Sequence, residues 1–422
     1  MIKKIKQKLQ KEEHKRLLSN FISLVFLQGA NYILPLITFP YLVRVLGVEN
    51  YGLLAFAGAT VAYFGILTDY GFNLTATREV SIYRDNKEKL NEIFSSVMII
   101  KFILMVVSFI LLLLLIFSVN KFKQDDEIFI LTFGTVIGQV LFPQWFFQGI
   151  ERMKYITFLN ILAKVIFTIA IFVFIHKSSD FWKVPLINSL GFIVAGILAL
   201  YIIFKDFKIK FSFQSFNTLK HYFLDGWHIF ISGIFTLFYT ITPIFLLGIF
   251  TNNVIVGYYS IAEKVIKIAS SIFNPINSAF YPFIIKKIKA SKKEGLRILK
   301  KLTLYSFYVM LVITIFIFMF SPYIIFLISG KYIQESIDLL RILSFFPIII
   351  ILAKIFSFDY LIANGYQKYL VKIYFYSAML SIFLFVILIP LFKAKGTAIS
   401  VIIVEVFATF YMYLVIKKKG LL

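Results

Sequence analysis

Residues 96–118 read SVMIIKFILMVVSFILLLLLIFS, with Lys101 as the one charge. A helix needs about 20 mostly apolar residues to cross the hydrocarbon core of a bilayer. A membrane barrel strand would instead show about ten residues of alternating pattern. The stretch therefore reads as a transmembrane helix, and eleven more of the same kind follow along the chain. They lie near 17–39, 51–73, 127–149, 154–176, 183–204, 226–250, 254–285, 302–328, 339–364, 369–391 and 396–416. Twelve spans in 422 residues leave short loops and two short tails. The expected fold class is an all-α integral membrane protein of about twelve transmembrane helices.

Composition agrees. Hydrophobic residues are 60% and charged residues 15% of the chain, against about 45–50% and 25% in soluble domains. Cysteine is absent, which excludes disulfides, thiol nucleophiles and Cys-ligated metal centres. The four histidines, His14, His176, His221 and His228, show no metal-ligand spacing. Neither metal nor cofactor is expected.

The net charge of +23 has two readings, nucleic acid or membrane topology, and the positions of the charges decide. With the N-terminus inside, 30 of the 44 Lys and Arg fall in inside segments and nine in outside loops. Cytoplasmic loops carry such an excess, so both termini are expected in the cytoplasm and nucleic acid is not a partner. Met1–Arg16 carries seven of these cations, with Ile2, Ile5 and Leu9 on one helical face. It reads as a basic amphipathic helix on the membrane surface or, equally, as a solvated tail.

The halves carry a weak repeat. Pro35 followed by Tyr51-Gly52 corresponds to Pro243 followed by Gly257-Tyr258-Tyr259. Gly149 with Lys154-Tyr155 corresponds to Gly365 with Lys368-Tyr369. Six helices per half would make the repeats parallel. The expected organisation is a tail at 1–16, a six-helix bundle at 17–204, a cytoplasmic linker at 205–225, a second bundle at 226–416 and a basic tail at 417–422.

Nine ionisable residues fall inside spans: Asp69, Lys101, Lys164, Glu263, Lys264, Lys267, Lys354, Asp359 and Glu405. A Lys or Asp at a helix centre costs about 2.5–3.5 kcal/mol on insertion scales, so such residues turn to a bundle interior or a watery cavity. Lys164 and Lys354, near mid-span, are the leading cavity cations. Glu263 and Lys267 stand i,i+4 with the acid first, the favourable order for an intrahelical pair, while Lys264 points to another face. Lys101 is expected to snorkel to the cytoplasmic interface. Glu405 is a candidate lysine partner or protonatable group. Arg44 and Arg78 flank the first two spans. Seven cations against four acids suit an anionic ligand, phosphate above all. Prolines 35, 143, 243, 275, 282 and 347 lie within or at the ends of spans and allow kinks.

Four stretches carry a resemblance. They are NYILPLITFPYLVRVLGVENYG (Asn31–Gly52), DYGFNLTATREVS (Asp69–Ser81), QWFFQGIERMKYIT (Gln144–Thr157) and GYYSIAEKV (Gly257–Val265). Together they resemble the polysaccharide (O-antigen type) flippases of the multidrug/oligosaccharidyl-lipid/polysaccharide exporter superfamily. The resemblance implies two six-helix bundles around a central cavity. It implies a polyprenyl-diphosphate-linked oligosaccharide as substrate and no enzymatic chemistry. It implies a place in the bacterial inner membrane, alongside polysaccharide polymerase and chain-length machinery. By position, Arg44 and Arg78 lie in family-like motifs. The lysines at 164, 264, 267 and 354 are expected to hold the diphosphate on the physical grounds above. Asp69, Glu263, Asp359 and Glu405 are charge partners or carriers of a coupling proton or sodium ion. Rival readings are a lipid II flippase, a multidrug exporter, a membrane polymerase or ligase, and a scaffold subunit of an export complex.

Overall fold

The computed structural model describes residues 2–271, 284, 287–288 and 290–421, and leaves aside the side chains of 2–28, 30–33, 239 and 292. The amphipathic face expected of 1–16, and Pro275 and Pro282, lie outside the described residues. Every regular element among the described residues is helical.

The first helix, α1 (Ile2–Asp69), is broken at Gly47, whose φ of 79° a side chain would disfavour. The expected spans 17–39 and 51–73 fall on either side of the break. Next come α2 (Phe72–Ile82), α3 (Lys87–Ser118) and the single turn α4 (Asn120–Lys123). The fourth span is two helices, α5 (Asp126–Leu141) and α6 (Gln144–Gly149), interrupted at Pro143. Then come α7 (Met153–Phe174), α8 (Lys183–Lys205), α9 (Phe216–Thr240), α10 (Thr242–Phe250) and α11 (Asn253–Ser271). The long α12 (Lys292–Ser329) precedes a tenth span built from α13 (Gln334–Leu343), α14 (Phe346–Lys354) and a π-helix (Ile355–Ile362). The last helix, α15 (Gln367–Lys418), is broken at Lys393, where φ is 50°, and so holds the final two spans. Pro143, Pro243 and Pro347 all stand at helix starts, where a missing N–H costs least.

Helices thus occupy all twelve expected spans as far as they are described. Eight of the described helices are long and apolar enough to cross a membrane, or nine with the bent pair Phe216–Phe238 and Thr242–Phe250. The smaller count arises because α1 and α15 each run through a break and count once, the seventh span is the bent pair, and α11 carries three charges within its described length. The chain is a multi-pass, all-α membrane protein.

The chain forms two compact units. Unit 1 comprises Met1–Thr38 and Thr60–Gly233; unit 2 comprises Phe39–Ala59 and Ile234–Leu422.

In unit 1 the core is aromatic. Phe94, Trp145, Phe146 and Phe147 are all buried to 1% exposure or less, and the Phe94–Phe146 and Trp145–Phe146 pairs meet edge to face at 6.0 and 6.2 Å, the geometry aromatic quadrupoles favour. α5 packs along α8, where Ser189 Oγ donates to the Leu131 carbonyl at 2.6 Å. The corner between α1 and α2 is made by Tyr70 and Gly71, both left-handed (φ 49° and 81°). Tyr70 accepts that strained backbone because its ring is stacked on both Phe223 and Phe230, at 4.4 and 4.6 Å between centroids.

In unit 2 the stretch of α1 around Gly52 crosses the start of α11 at backbone distance. A Cβ on Gly52 would collide with the Asn253 carbonyl, and one on Gly257 with the Val48 carbonyl. Small residues permit such close crossings between membrane helices. The Tyr51-Gly52 and Gly257-Tyr258 pairs, which the sequence offers as equivalent points of two repeats, are therefore packed against one another. The unit 2 core gathers Ile351, Ile355 and Tyr360 with Ile373, Met412 and Ile416.

Candidate functional site

Three helices of unit 1 enclose a cavity of about 170 Å³. Its lining includes Pro35 and Thr38 from α1, Asn160, Lys164 and Thr168 from α7, and Asn188 from α8. Asn160, Lys164 and Thr168 are spaced i, i+4, i+8, so one face of an apolar helix carries a polar stripe. The opposite face presents Ile166, Ile169 and Val173, all exposed, as a lipid-facing surface should. Asn160 donates one amide hydrogen to the Ile156 carbonyl at 2.9 Å, its one hydrogen bond among the described residues. The hydroxyl of Thr38 donates to the Leu34 carbonyl at 3.1 Å. The Thr168 hydroxyl is buried without a hydrogen-bond partner among the described residues. The wall thus offers one ammonium group with amide and hydroxyl groups around it. That set suits an oxyanion bearing hydroxyl or amide substituents.

The other expected site residues divide between the units. In unit 1, the Asp69 carboxylate lies 3.9 Å from the Lys101 ammonium and accepts from Asn73 at 2.6 Å. Lys101 is 4% exposed, so the snorkelling expected of it does not occur: a carboxylate within the unit holds it. Arg78 is exposed and bonds to Asp225 at 3.0 Å and Glu79 at 3.1 Å.

In unit 2, Arg44 donates to the carbonyls of Leu327 and Ile328 at the end of α12. Its guanidinium serves the orphan acceptors and negative dipole end that a helix C-terminus presents. Glu263 and Lys267 pair at 2.9 Å. Lys264, beside them, feels both charges, so three of the expected residues form one charged cluster on α11. Lys354 of α14 and Glu405 of α15 act on each other electrostatically, with Tyr374 also within reach of Glu405. Asp359 stands in the π-helix. It is fully buried, and neither oxygen has a hydrogen-bond partner among the described residues. Buried polar atoms are rarely left so, and π-turns concentrate at functional places.

Lys164 and Lys354 therefore belong to different units. Sequence reasoning missed Asn160, Thr168, Asn188 and Thr38. The first two were detectable from their spacing about Lys164; the other two come from helices whose placement the sequence does not specify.

No group of three or more His, Asp or Glu able to hold a metal occurs among the described residues.

Comparison with known proteins completes the description. A family model described as polysaccharide biosynthesis protein matches residues 17–288. A protein of Escherichia coli (strain K12) named "Putative O-antigen transporter" is 30% identical over 403 residues, 96% of this chain and 97% of the relative. A Shigella dysenteriae protein of the same name is 27% identical over 405 residues, 94% of this chain and 99% of that one. Among solved structures, the lipid II flippase MurJ in an inward closed conformation superposes with a TM-score of 0.70 at 16% identity, covering 95% of this chain and 87% of that one. An inward-facing multidrug resistance MATE transporter of the MOP superfamily gives 0.64 at 16% identity, covering 92% and 98%. At that identity the superpositions show the fold, that of MOP-superfamily transporters.

Proposed function

The chain belongs to the polysaccharide biosynthesis protein family, and from that premise we propose that it is a flippase for polyprenyl-diphosphate-linked oligosaccharide. It carries the glycan headgroup from the cytoplasmic to the outer leaflet of the bacterial inner membrane by alternating access. The observation that carries this reading is Lys164 set in a largely apolar cavity with Asn160, Thr168 and Asn188 beside it. Ionisable residues inside spans normally face a bundle interior or cavity and mark substrate paths. A diphosphate drawn from water gains most from a preplaced ammonium with neighbouring hydrogen-bond donors. The polyprenyl tail has no need of the cavity, because the bilayer already solvates it.

Lys354 is the corresponding cation of unit 2 in this proposal, and Lys264 and Lys267 are auxiliary cations. Glu405, Asp359 and Glu263 are the groups available to a coupling proton or sodium ion. Arg44 and Arg78 contribute through the helix end and the carboxylates they already hold. Cytoplasmic termini, the six-plus-six partition at 17–204 and 226–416, and work alongside a polymerase and chain-length machinery are further parts of the proposal.

The test is headgroup translocation in proteoliposomes. Purified protein is reconstituted with a fluorescently labelled undecaprenyl-diphosphate oligosaccharide, and a membrane-impermeant quencher reports the leaflet. Protein-dependent movement is expected, reduced in Lys164→Gln. Movement of labelled lipid II but of no other glycan would reassign the cargo within the superfamily. Absence of movement in folded protein for every glycan tried would remove the flippase reading.

A further inference from the structure

Unit 1 contains a second cavity, of about 440 Å³, that the transport reading does not use. Arg84, Lys87 and Arg152 line it, with Asp85 as the one acid. Leu90, Phe146, Ile150 and Ile209 supply its apolar lining. Its position follows from the chain: Lys87 opens α3, and Arg152 immediately precedes α7. Both helices are candidate membrane spans, so the cations stand where hydrocarbon gives way to headgroups.

The charge in this cavity is not spent on protein carboxylates alone. Arg84 reaches Glu151 at 3.3 Å and Asp85 at 3.9 Å; Asp85, which also lines the cavity, keeps a side chain 97% exposed. Lys87 and Arg152 make no ion pair among the described residues. The amides opening α7 receive no side-chain cap from Arg152 and add donors of the same polarity. The loops that bring these groups together are held in costly conformations. Glu151 and Lys208 are both left-handed without being glycine (φ 57° and 52°), and the Arg152 amide closes the turn by donating to Phe147 O at 2.8 Å. A cationic rim beside an apolar wall, at the depth of the headgroups, matches one chemical class: a phosphate group carried on a hydrocarbon chain.

We propose that the Arg84–Lys87–Arg152 cavity is a binding site for the phosphate headgroup of a lipid. Its cytoplasmic placement rests on the topology proposed above; its binding chemistry does not. Two sources offer that headgroup, an anionic phospholipid of the surrounding leaflet and a polyprenyl diphosphate.

The experiment is lipid retention by the full-length protein, purified in detergent and followed by native mass spectrometry. It is titrated separately with phosphatidylglycerol, undecaprenyl diphosphate and phosphatidylcholine. Retention of an anionic lipid over phosphatidylcholine is expected, weakened about tenfold in Lys87→Gln/Arg152→Gln. The single variants should show part of the loss, with melting temperatures recorded to show that each is folded. A Lys300→Gln/Lys301→Gln control removes the same charge from another basic segment and should bind like the wild type. Preference for phosphatidylglycerol identifies the leaflet as the source, and preference for undecaprenyl diphosphate identifies the substrate lipid. Equal loss in the control, wild-type retention in the double variant, or no selectivity over phosphatidylcholine would each overturn the site. None of these outcomes depends on transport, so the site and the flippase reading can fail independently.

Discussion

Asp69 and Lys101 face each other at 3.9 Å where α1 gives way to α2. Asp69 ends the long first helix, and the left-handed pair Tyr70-Gly71 follows at once. Lys101 comes from the third span, so the ion pair ties the corner to a neighbouring helix. The pair is asymmetric: the Lys101 side chain is 5% exposed and that of Asp69 33%. Removing one partner of a buried pair is costly, because the other is left uncompensated in a medium of low dielectric.

Asp69→Asn is therefore expected to destabilise the protein by about 2–3 kcal/mol, below the fully buried figure because Asp69 is partly solvated. Lys101→Met should cost less, since it leaves the more exposed member behind. The double variant should lie closer to wild type than Asp69→Asn alone. Urea or thermal unfolding in detergent measures all three. Additive losses would show that the two groups do not interact.

Lys164→Gln keeps a polar side chain, one bond shorter, but removes the ammonium. A lost charge-assisted hydrogen bond of about 1.5–3 kcal/mol corresponds to a fall in translocation of roughly 10–100-fold, with membrane abundance unchanged. Lys164→Arg should retain part of the activity. Initial rates in the quenching assay, normalised to reconstituted protein, give the comparison. An unchanged rate would take Lys164 out of the substrate site.

Asn160→Leu and Thr168→Val remove neighbouring polar groups without touching the charge. Each should lower translocation less than Lys164→Gln does. Together they test whether the α7 stripe acts as a unit, in which case the combined loss departs from the product of the single losses.

Arg44→Met separates two roles for that arginine. As a cap on the carbonyls of Leu327 and Ile328, its loss should cost about 1–3 kcal/mol of stability and leave the rate per folded molecule near wild type. A stable variant with a large loss of rate would make Arg44 a substrate ligand.

Gly257→Ala drives a methyl group into the Val48 carbonyl at the crossing of α1 and α11. Overpacking of this kind costs about 1–3 kcal/mol, and the clash here is with backbone, which yields less than a side chain. Reduced yield of folded protein by fluorescence-detected size exclusion is the expected result.

The spans were legible because the physics that sets them is local. About 20 apolar residues must be helical in a bilayer whatever surrounds them, and 96–118 or 154–176 needs no partner to be read. What the sequence could not reveal depends on partners. The breaks at Gly47 and Lys393 fall between expected spans, but that helix continues right up to each of them does not follow from hydropathy. Lys101 looked like a residue that would reach for the interface, because the carboxylate it meets lies over thirty residues earlier on another helix. Arg44 was read as a ligand for phosphate from its motif and from the excess of cations; its acceptors are backbone carbonyls of α12, which carry no signature in the sequence. Of the unit 1 cavity, the residues on α7 were within reach of a spacing argument. Asn188 and Thr38 were not, because helix neighbours are decided by packing.

The composition of unit 2 bears on how the chain is made. Phe39–Ala59 is synthesised early, yet it belongs with Ile234–Leu422, and its Gly52 packs at the Asn253–Gly257 turn. At ordinary translation rates of about 5–20 residues per second, this segment waits on the order of ten seconds or more in the membrane before its partners emerge. Unit 2 therefore cannot mature as the ribosome finishes unit 1, and a chain severed in the 205–225 connection would deliver a C-terminal fragment lacking part of its own core. During that interval the glycine face of α1 must be shielded by lipid, by the insertion machinery or by a transient neighbour, which makes biogenesis rather than the finished fold the stage most exposed to errors there.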